Sequence, residues 1–193
     1  TLAIAKKLQS LLTSDRLFIN DNVRIILTRS ADIHLTLEER AEIANKNGGD
    51  LFISIHVNGF GLRSAKGDET YFLGLKASDE HAKRVAEIEN EEVKDTALEE
   101  TTAAQNNDLK MILFDFIQKQ YMAESKFLAE HIQNELNRSI NNGDRGVRQN
   151  MFRVLKGVAM PAVLVEVDFI TNPTREKLLA DESYQWRFAQ SMF

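Results

Sequence analysis

Cysteine is absent from the 193 residues, and proline and glycine are scarce, at 2 and 9. Lacking thiols, the chain has no disulfide framework, no thiol nucleophile and no Cys-ligated zinc or iron–sulfur centre. A bound metal must therefore be held by Asp, Glu or the four histidines His34, His56, His81 and His131. No apolar run approaches the roughly 18–20 residues that span a bilayer, so no transmembrane helix is expected. A basic surplus is missing too: 24 Lys and Arg face 29 Asp and Glu, a net charge of −5. Nucleic acid is an unsuitable partner on that ground, because neutralising phosphates takes clustered cations.

What is present is 43% hydrophobic residues with 11 Phe, enough at this length for one domain, 1–193, to fold without cross-links. The chain opens at Thr1 directly into an amphipathic pattern, with no initiator Met or signal peptide, and reads as a mature or trimmed fragment. Its acidity is local: Ala86–Glu100 holds seven acids and one Lys, which leaves the other residues at +1.

Leu2, Ile4, Ala5, Leu8, Leu11 and Leu12 recur at helical spacing and predict a surface helix. Val23–Leu27 and Leu51–Val57 are short and β-branched, and each predicts a buried strand. Between them, Thr36 and Glu39 have the spacing of a capping box, and Gly48-Gly49 supplies the stop. Further strands are predicted over 69–73, 152–155 and 162–167. Helices are predicted over 81–93 and 108–138, the latter with a stripe from Leu109, Leu113 and Ile117 through Tyr121, Leu128, Ile132 and Leu136. Asn172-Pro173 suits the cap and first position of a terminal helical region. The alternation implies an α/β fold: a single mixed, mainly parallel sheet flanked by helices on both faces.

Two ionisable residues interrupt these strands, His56 in LFISIHVN and Glu166 in AVLVEVDF. Alternation places His56 on one strand face with Phe52, Ser54 and Asn58. Sites in open α/β sheets gather beyond the carboxyl ends of strands, so the two can converge. A His and a Glu so placed suit a metal hydrolase: the imidazole holds zinc, which acidifies water, and the carboxylate takes the proton and passes it on. The competing readings are a satisfied core histidine and a structural salt bridge from Glu166 to Arg40, Arg145 or Arg148. His34, His81 and His131 read as solvated or packing residues.

Longer blocks narrow this. Leu27-Thr-Arg-Ser-Ala-Asp32, Leu37, Arg40, Ala44-Asn45 and Asp50–Asn58 come first. Asp144-Arg-Gly-Val147, Phe152, Val154-Leu155, Met160–Glu166, Phe169-Ile-Thr-Asn172 and Tyr184-Gln185 follow. In this order, over most of the chain, they strongly resemble the zinc-dependent N-acetylmuramoyl-L-alanine amidases, which strip peptide stems from peptidoglycan. The resemblance implies zinc held by two His and one Glu, with a further Glu as catalytic base. His56 matches the second zinc His and Glu166 the catalytic Glu. The first His and the ligand Glu have no match here and are expected before Thr1, together with an N-terminal strand. Asp168 stands where the family usually has Gly, which removes easy access to positive φ.

Val85-Ala-Glu-Ile-Glu-Asn90 resembles the motif that precedes a helical plug in the division-associated branch of this family, relieved there by an activator protein. The resemblance makes 86–113 a regulatory insertion in which Glu91, Glu92, Glu99 or Glu100 occupies the zinc's open position; the plain alternative is a solvated acidic segment. It also implies a peptidoglycan substrate and a location in the periplasm or outside the cell. Two other functions compete. One is a non-catalytic wall-binding or regulatory module that retains the fold without a complete zinc site. The other is an unrelated small-molecule α/β enzyme, against which counts the lack of a Gly-rich phosphate loop after any predicted strand.

Overall fold

The computed structural model describes residues 1–16, 23–91 and 107–193, with 107–118 as backbone only. Helix α1 (Leu2–Ser14) buries Ile4 and Leu8, two members of the predicted stripe. Helix α2 (Leu37–Lys46) begins at the expected capping box: Thr36 Oγ1 accepts from the Glu39 amide at 3.1 Å, and Glu39 Oε2 accepts from the Thr36 amide at 2.8 Å. Gly48, at φ +59, turns the chain away after it. Strand β1 (Phe52–Asn58) and strand β2 (Asp68–Leu73) follow, then helix α3 (Glu80–Glu91) and the long helix α4 (Asn107–Ser139). The chain closes with strand β3 (Asp144–Asn150), a helical turn α5 (Arg153–Lys156), strand β4 (Ala162–Phe169) and helices α6 (Pro173–Ala180) and α7 (Glu182–Met192).

The sheet order is β1-β4-β2-β3, with β1–β4 and β2–β3 parallel and β2–β4 antiparallel. All eight residues of β4 are buried, as a near-continuous apolar run in a sheet covered on both sides requires. One face packs Tyr71 and Leu164 against Ala82, Val85 and Ala86 of α3, Leu37 and Ala41 of α2, and Leu155 of α5. The other packs Val163, Val165 and Val167 against Ile4 of α1, against Ala129, Ile132 and Leu136 of α4, and against Phe188 of α7. The sheet is thus mixed and flanked by helices on both faces, as the sequence implies. Of the α4 stripe, Leu109, Leu113 and Ile117 lie outside the described side chains.

Three expectations are corrected. Residues 23–27 form no strand: a strand exists only by pairing, and no described strand lies beside them, so Val23 and Ile26 are exposed while Ile25 O accepts from Gln9 Nε2. Residues 152–155 form the turn that starts α5 rather than a strand: the Leu155 and Lys156 amides donate back to Phe152 O at 3.1 and 2.9 Å, local bonds in place of a ladder. Conversely β3 went unpredicted, since DRGVRQN has neither an apolar run nor apolar alternation. Its start lies against Gly67, whose φ is +111 and where any Cβ would come within 2.1 Å of Gly143 O, so only glycine fits there.

Candidate metal and active site

The polar face of β1 is the buried one. Phe52, Ser54, His56 and Asn58 are buried, while Ile53, Ile55 and Val57 are half-buried. His56 lies opposite Glu166 on β4, and Glu166 lies opposite Glu69 on β2. Directly paired residues project to the same face, so three ionisable side chains form a row across the sheet.

Glu166 is fully buried, and neither carboxylate oxygen has a hydrogen-bond partner among the described residues. The salt bridges that would make it structural are absent. Arg40 Nε donates to Leu35 O at 3.1 Å. Arg145 and Arg148 are drawn to Glu69 instead, at 3.2 and 3.5 Å. Burial, then the carboxylates of Glu89 and Glu69, push the Glu166 carboxyl well above the ordinary carboxylate range.

His56 is held from both sides. Its Nε2 lies 3.0 Å from Ser54 Oγ, and its Nδ1 lies 2.5 Å from Glu89 Oε2. His56, Glu89 and Glu166 each present a ligand atom, and these three atoms lie within 4.8 Å of one another. A proton on Nδ1 satisfies the Glu89 carboxylate, and a cation bound by His56 would have to displace that contact. His56 flanked by two carboxylates, one of them buried and unpaired, is a place where a metal ion could sit.

Glu89 was missed by the sequence reading, which looked further along to Glu91, Glu92, Glu99 and Glu100. The signal was available: Ala82, Val85 and Ala86 are the buried residues of α3, and Glu89 continues their spacing. Glu91, two positions later, points elsewhere and is exposed, as i and i+2 residues do not share a helix face; it is no part of the cluster. Glu92, Glu99 and Glu100 lie outside the described residues. Asn90 fixes the end of α3, donating to Met151 O at 2.9 Å and accepting from the Arg153 amide at 2.8 Å.

Glu69 centres a second cluster. It accepts from Asn58 Nδ2 at 3.0 Å, His81 Nε2 at 2.9 Å and Arg145 Nε at 3.2 Å. Burial alone would raise its pKa, but His81 and Arg145 outweigh that and hold the carboxyl below its ordinary value. His81 is therefore a partner of a buried charge, not merely a packing residue. His34 is exposed, and His131 is exposed and bonded to Phe127 O at 2.8 Å.

Asp168 needs no left-handed backbone, since Asn141 is the sole non-glycine with positive φ among the described residues. It is an extended β4 residue, fully buried, whose carboxylate accepts from Arg175 Nε at 2.6 Å, Tyr184 OH at 2.9 Å and the Phe169 amide at 2.9 Å.

The sheet and the helix packed on it thus bring one imidazole and two carboxylates together in a group that could hold a metal ion. The family model for N-acetylmuramoyl-L-alanine amidase matches residues 1–193, and the chain belongs to that family. It is 35% identical over 192 residues to N-acetylmuramoyl-L-alanine amidase AmiA of Escherichia coli K12, covering 99% of this chain and 64% of that protein. Among solved structures, N-acetylmuramoyl-L-alanine amidase from Clostridium difficile 630 superposes with TM-score 0.69 at 26% identity, over 99% of this chain and 76% of that one. The CwlD amidase from Clostridioides difficile, solved in complex with the GerS lipoprotein, gives TM-score 0.65 at 25% identity, over 99% and 79%.

Proposed function

We propose that the protein is a zinc-dependent peptidoglycan amidase that hydrolyses the amide between the lactyl group of N-acetylmuramic acid and L-alanine. The observation that carries this is Glu166: a fully buried, unpartnered carboxylate facing His56 across neighbouring strands, in a chain of this family. Zinc held there supplies Lewis acidity, polarising the scissile carbonyl and lowering the pKa of water. His56 is one ligand, its ring fixed by Ser54. Glu166 removes a proton from the attacking water and delivers it to the departing L-alanine nitrogen, a task suited to a carboxyl with a raised pKa. In this reading residues 1–193 belong to one catalytic domain, whose remaining zinc ligands are expected from outside these residues. The test is release of L-alanine-headed peptides from purified muropeptides by the full-length protein, abolished by chelation and restored by zinc. Peptidoglycan binding without peptide release would instead make the chain a wall-binding module.

The resting state is inhibited by Glu89. Its carboxylate lies against His56 Nδ1 and would compete with water and substrate for a metal held by His56, the role the sequence reading gave to later acids in 86–113. The complex of CwlD with the GerS lipoprotein supports a protein partner for this chain, and the substrate class supports a location in the cell envelope. No helix among the described residues is long and apolar enough to cross a membrane. Glu89→Ala in the zinc-loaded full-length protein is expected to raise kcat/KM about tenfold, the equivalent of about 1.4 kcal/mol of lost competition. Equal or lower activity would make Glu89 a structural residue.

A further inference from the structure

The row of ionisable groups does not end at Glu69. On β3, Asp144 pairs with Asp68 and Val147 with Thr70, so two residues, Arg145 and Gly146, stand opposite the single Glu69. This is a β-bulge, with Gly146 at φ +81 absorbing the extra residue. Its effect is on side-chain direction. In a regular strand, positions 145 and 148 would face opposite sides; here both arginines reach the same carboxylate. Arg148 also pairs with Asp79.

Arg145 is held differently. Its guanidinium packs over the Phe169 ring at 4.9 Å, its Nε is bonded to Glu69 and its Nη2 lies 3.2 Å from His81 Nε2. Among the described residues Nη1 has no partner, and the side chain keeps 29% of its exposure. The result is a pre-positioned, partly open cation whose backbone lies two strands from that of Glu166, about 10 Å at the usual strand spacing, and whose guanidinium reaches back over β2 to Glu69.

We infer that Arg145 binds a carboxylate of the peptide stem, that of the second residue beyond the scissile amide: the α-carboxylate of a γ-linked D-glutamyl residue. This rests on the amidase reading above. Two extended residues span about 7 Å, so a stem whose L-alanine nitrogen lies at Glu166 and which runs across the sheet toward β3 brings that carboxylate within reach of the guanidinium. A planar cation braced by a buried carboxylate and an aromatic face is built for such recognition. Converting the carboxylate to a carboxamide removes the charge it would pair with, so Arg145 discriminates free from amidated stems.

The test uses the zinc-loaded full-length protein and two muramoyl peptides that differ only in carrying D-isoglutamate or D-isoglutamine at the second position. The acid is expected to be preferred about tenfold in kcat/KM, as a charge-assisted contact implies. Arg145→Gln is expected to bring the ratio to about one, and Arg145→Lys, which keeps a cation beside Glu69, to an intermediate value. The same gap should appear as Kd in a Glu166→Gln background, where no turnover intervenes. A merely structural arginine would alter both substrates equally. A ratio near one in the wild type, or an unaltered preference in both Arg145 variants, overturns the assignment while leaving the amidase reading intact. Failure of the wild type to cleave either peptide overturns both.

Discussion

Replacing Glu166 by Gln is expected to lower kcat about a thousandfold while zinc remains bound, as measured by muropeptide turnover alongside metal content. General acid–base groups contribute about 10²–10⁴ in rate, and here the same carboxylate serves both half-reactions. Glutamine keeps the shape and removes the proton acceptor, so any loss reports chemistry rather than packing. The variant should also make the metal-free protein more stable, because it deletes a buried carboxyl that no described residue satisfies. The pH dependence follows in sign. A carboxyl whose pKa is raised by folding contributes most below its unfolded value, and that contribution is lost as pH climbs toward the folded value. The metal-free wild type should therefore weaken above the ordinary carboxylate range, and Glu166→Gln should flatten that decline. Wild-type turnover in the variant would remove Glu166 from the mechanism.

Asp168→Ala is expected to cost about 3 kcal/mol of folding stability, read as a lower urea midpoint at constant m-value. Removing one partner of a buried ion pair typically costs about 3–5 kcal/mol, and the lower end applies because the Arg175 side chain retains 13% exposure and can turn toward water. The carboxylate ties β4 to α6 through Arg175, to α7 through Tyr184 OH and to the turn before β3 through Asn142, at 3.3 Å. Its loss leaves these donors unsatisfied together. Asp168→Gly, which restores the residue usual in the family, should be as damaging as the alanine change, since the backbone here is extended and has no use for glycine's freedom. Stability within 1 kcal/mol of the wild type in either variant would contradict this account.

The parts of the fold that were legible in the sequence are those that bury apolar side chains in a regular period. LFISIHV and AVLVEV announced β1 and β4, Thr36 and Glu39 announced the start of α2, and Asn172-Pro173 that of α6, where Asn172 Oδ1 accepts from the Thr174 amide. The charged strand was not legible. β3 carries two arginines and an aspartate, and its partners, the parallel edge of β2 and the buried carboxylate of Glu69, are distant in sequence, so no local pattern reveals them. The 152–155 segment failed for the opposite reason, since three apolar residues in a stretch of four fit a strand or a helical turn equally well. His56 and Glu166 could be picked out as costly interruptions of apolar strands. Glu89 sits in a helix that is mostly polar, where one more glutamate looks unremarkable until the face it occupies is known.

The arrangement of β1 has a thermodynamic consequence. By turning Ser54, His56 and Asn58 inward and leaving Ile53, Ile55 and Val57 half-covered, the strand buries polar groups where apolar ones would contribute more, and sets His56 beside two carboxylates that are costly to bury without a cation. A cation that binds the folded chain and not the unfolded one then acts as a folding ligand, worth about 2.7 kcal/mol at a hundredfold excess over Kd. Thermal denaturation should accordingly show a melting temperature that rises with zinc concentration, and the rise should vanish in His56→Ala. Metal supply would then determine how much folded protein survives, as well as how fast it turns over.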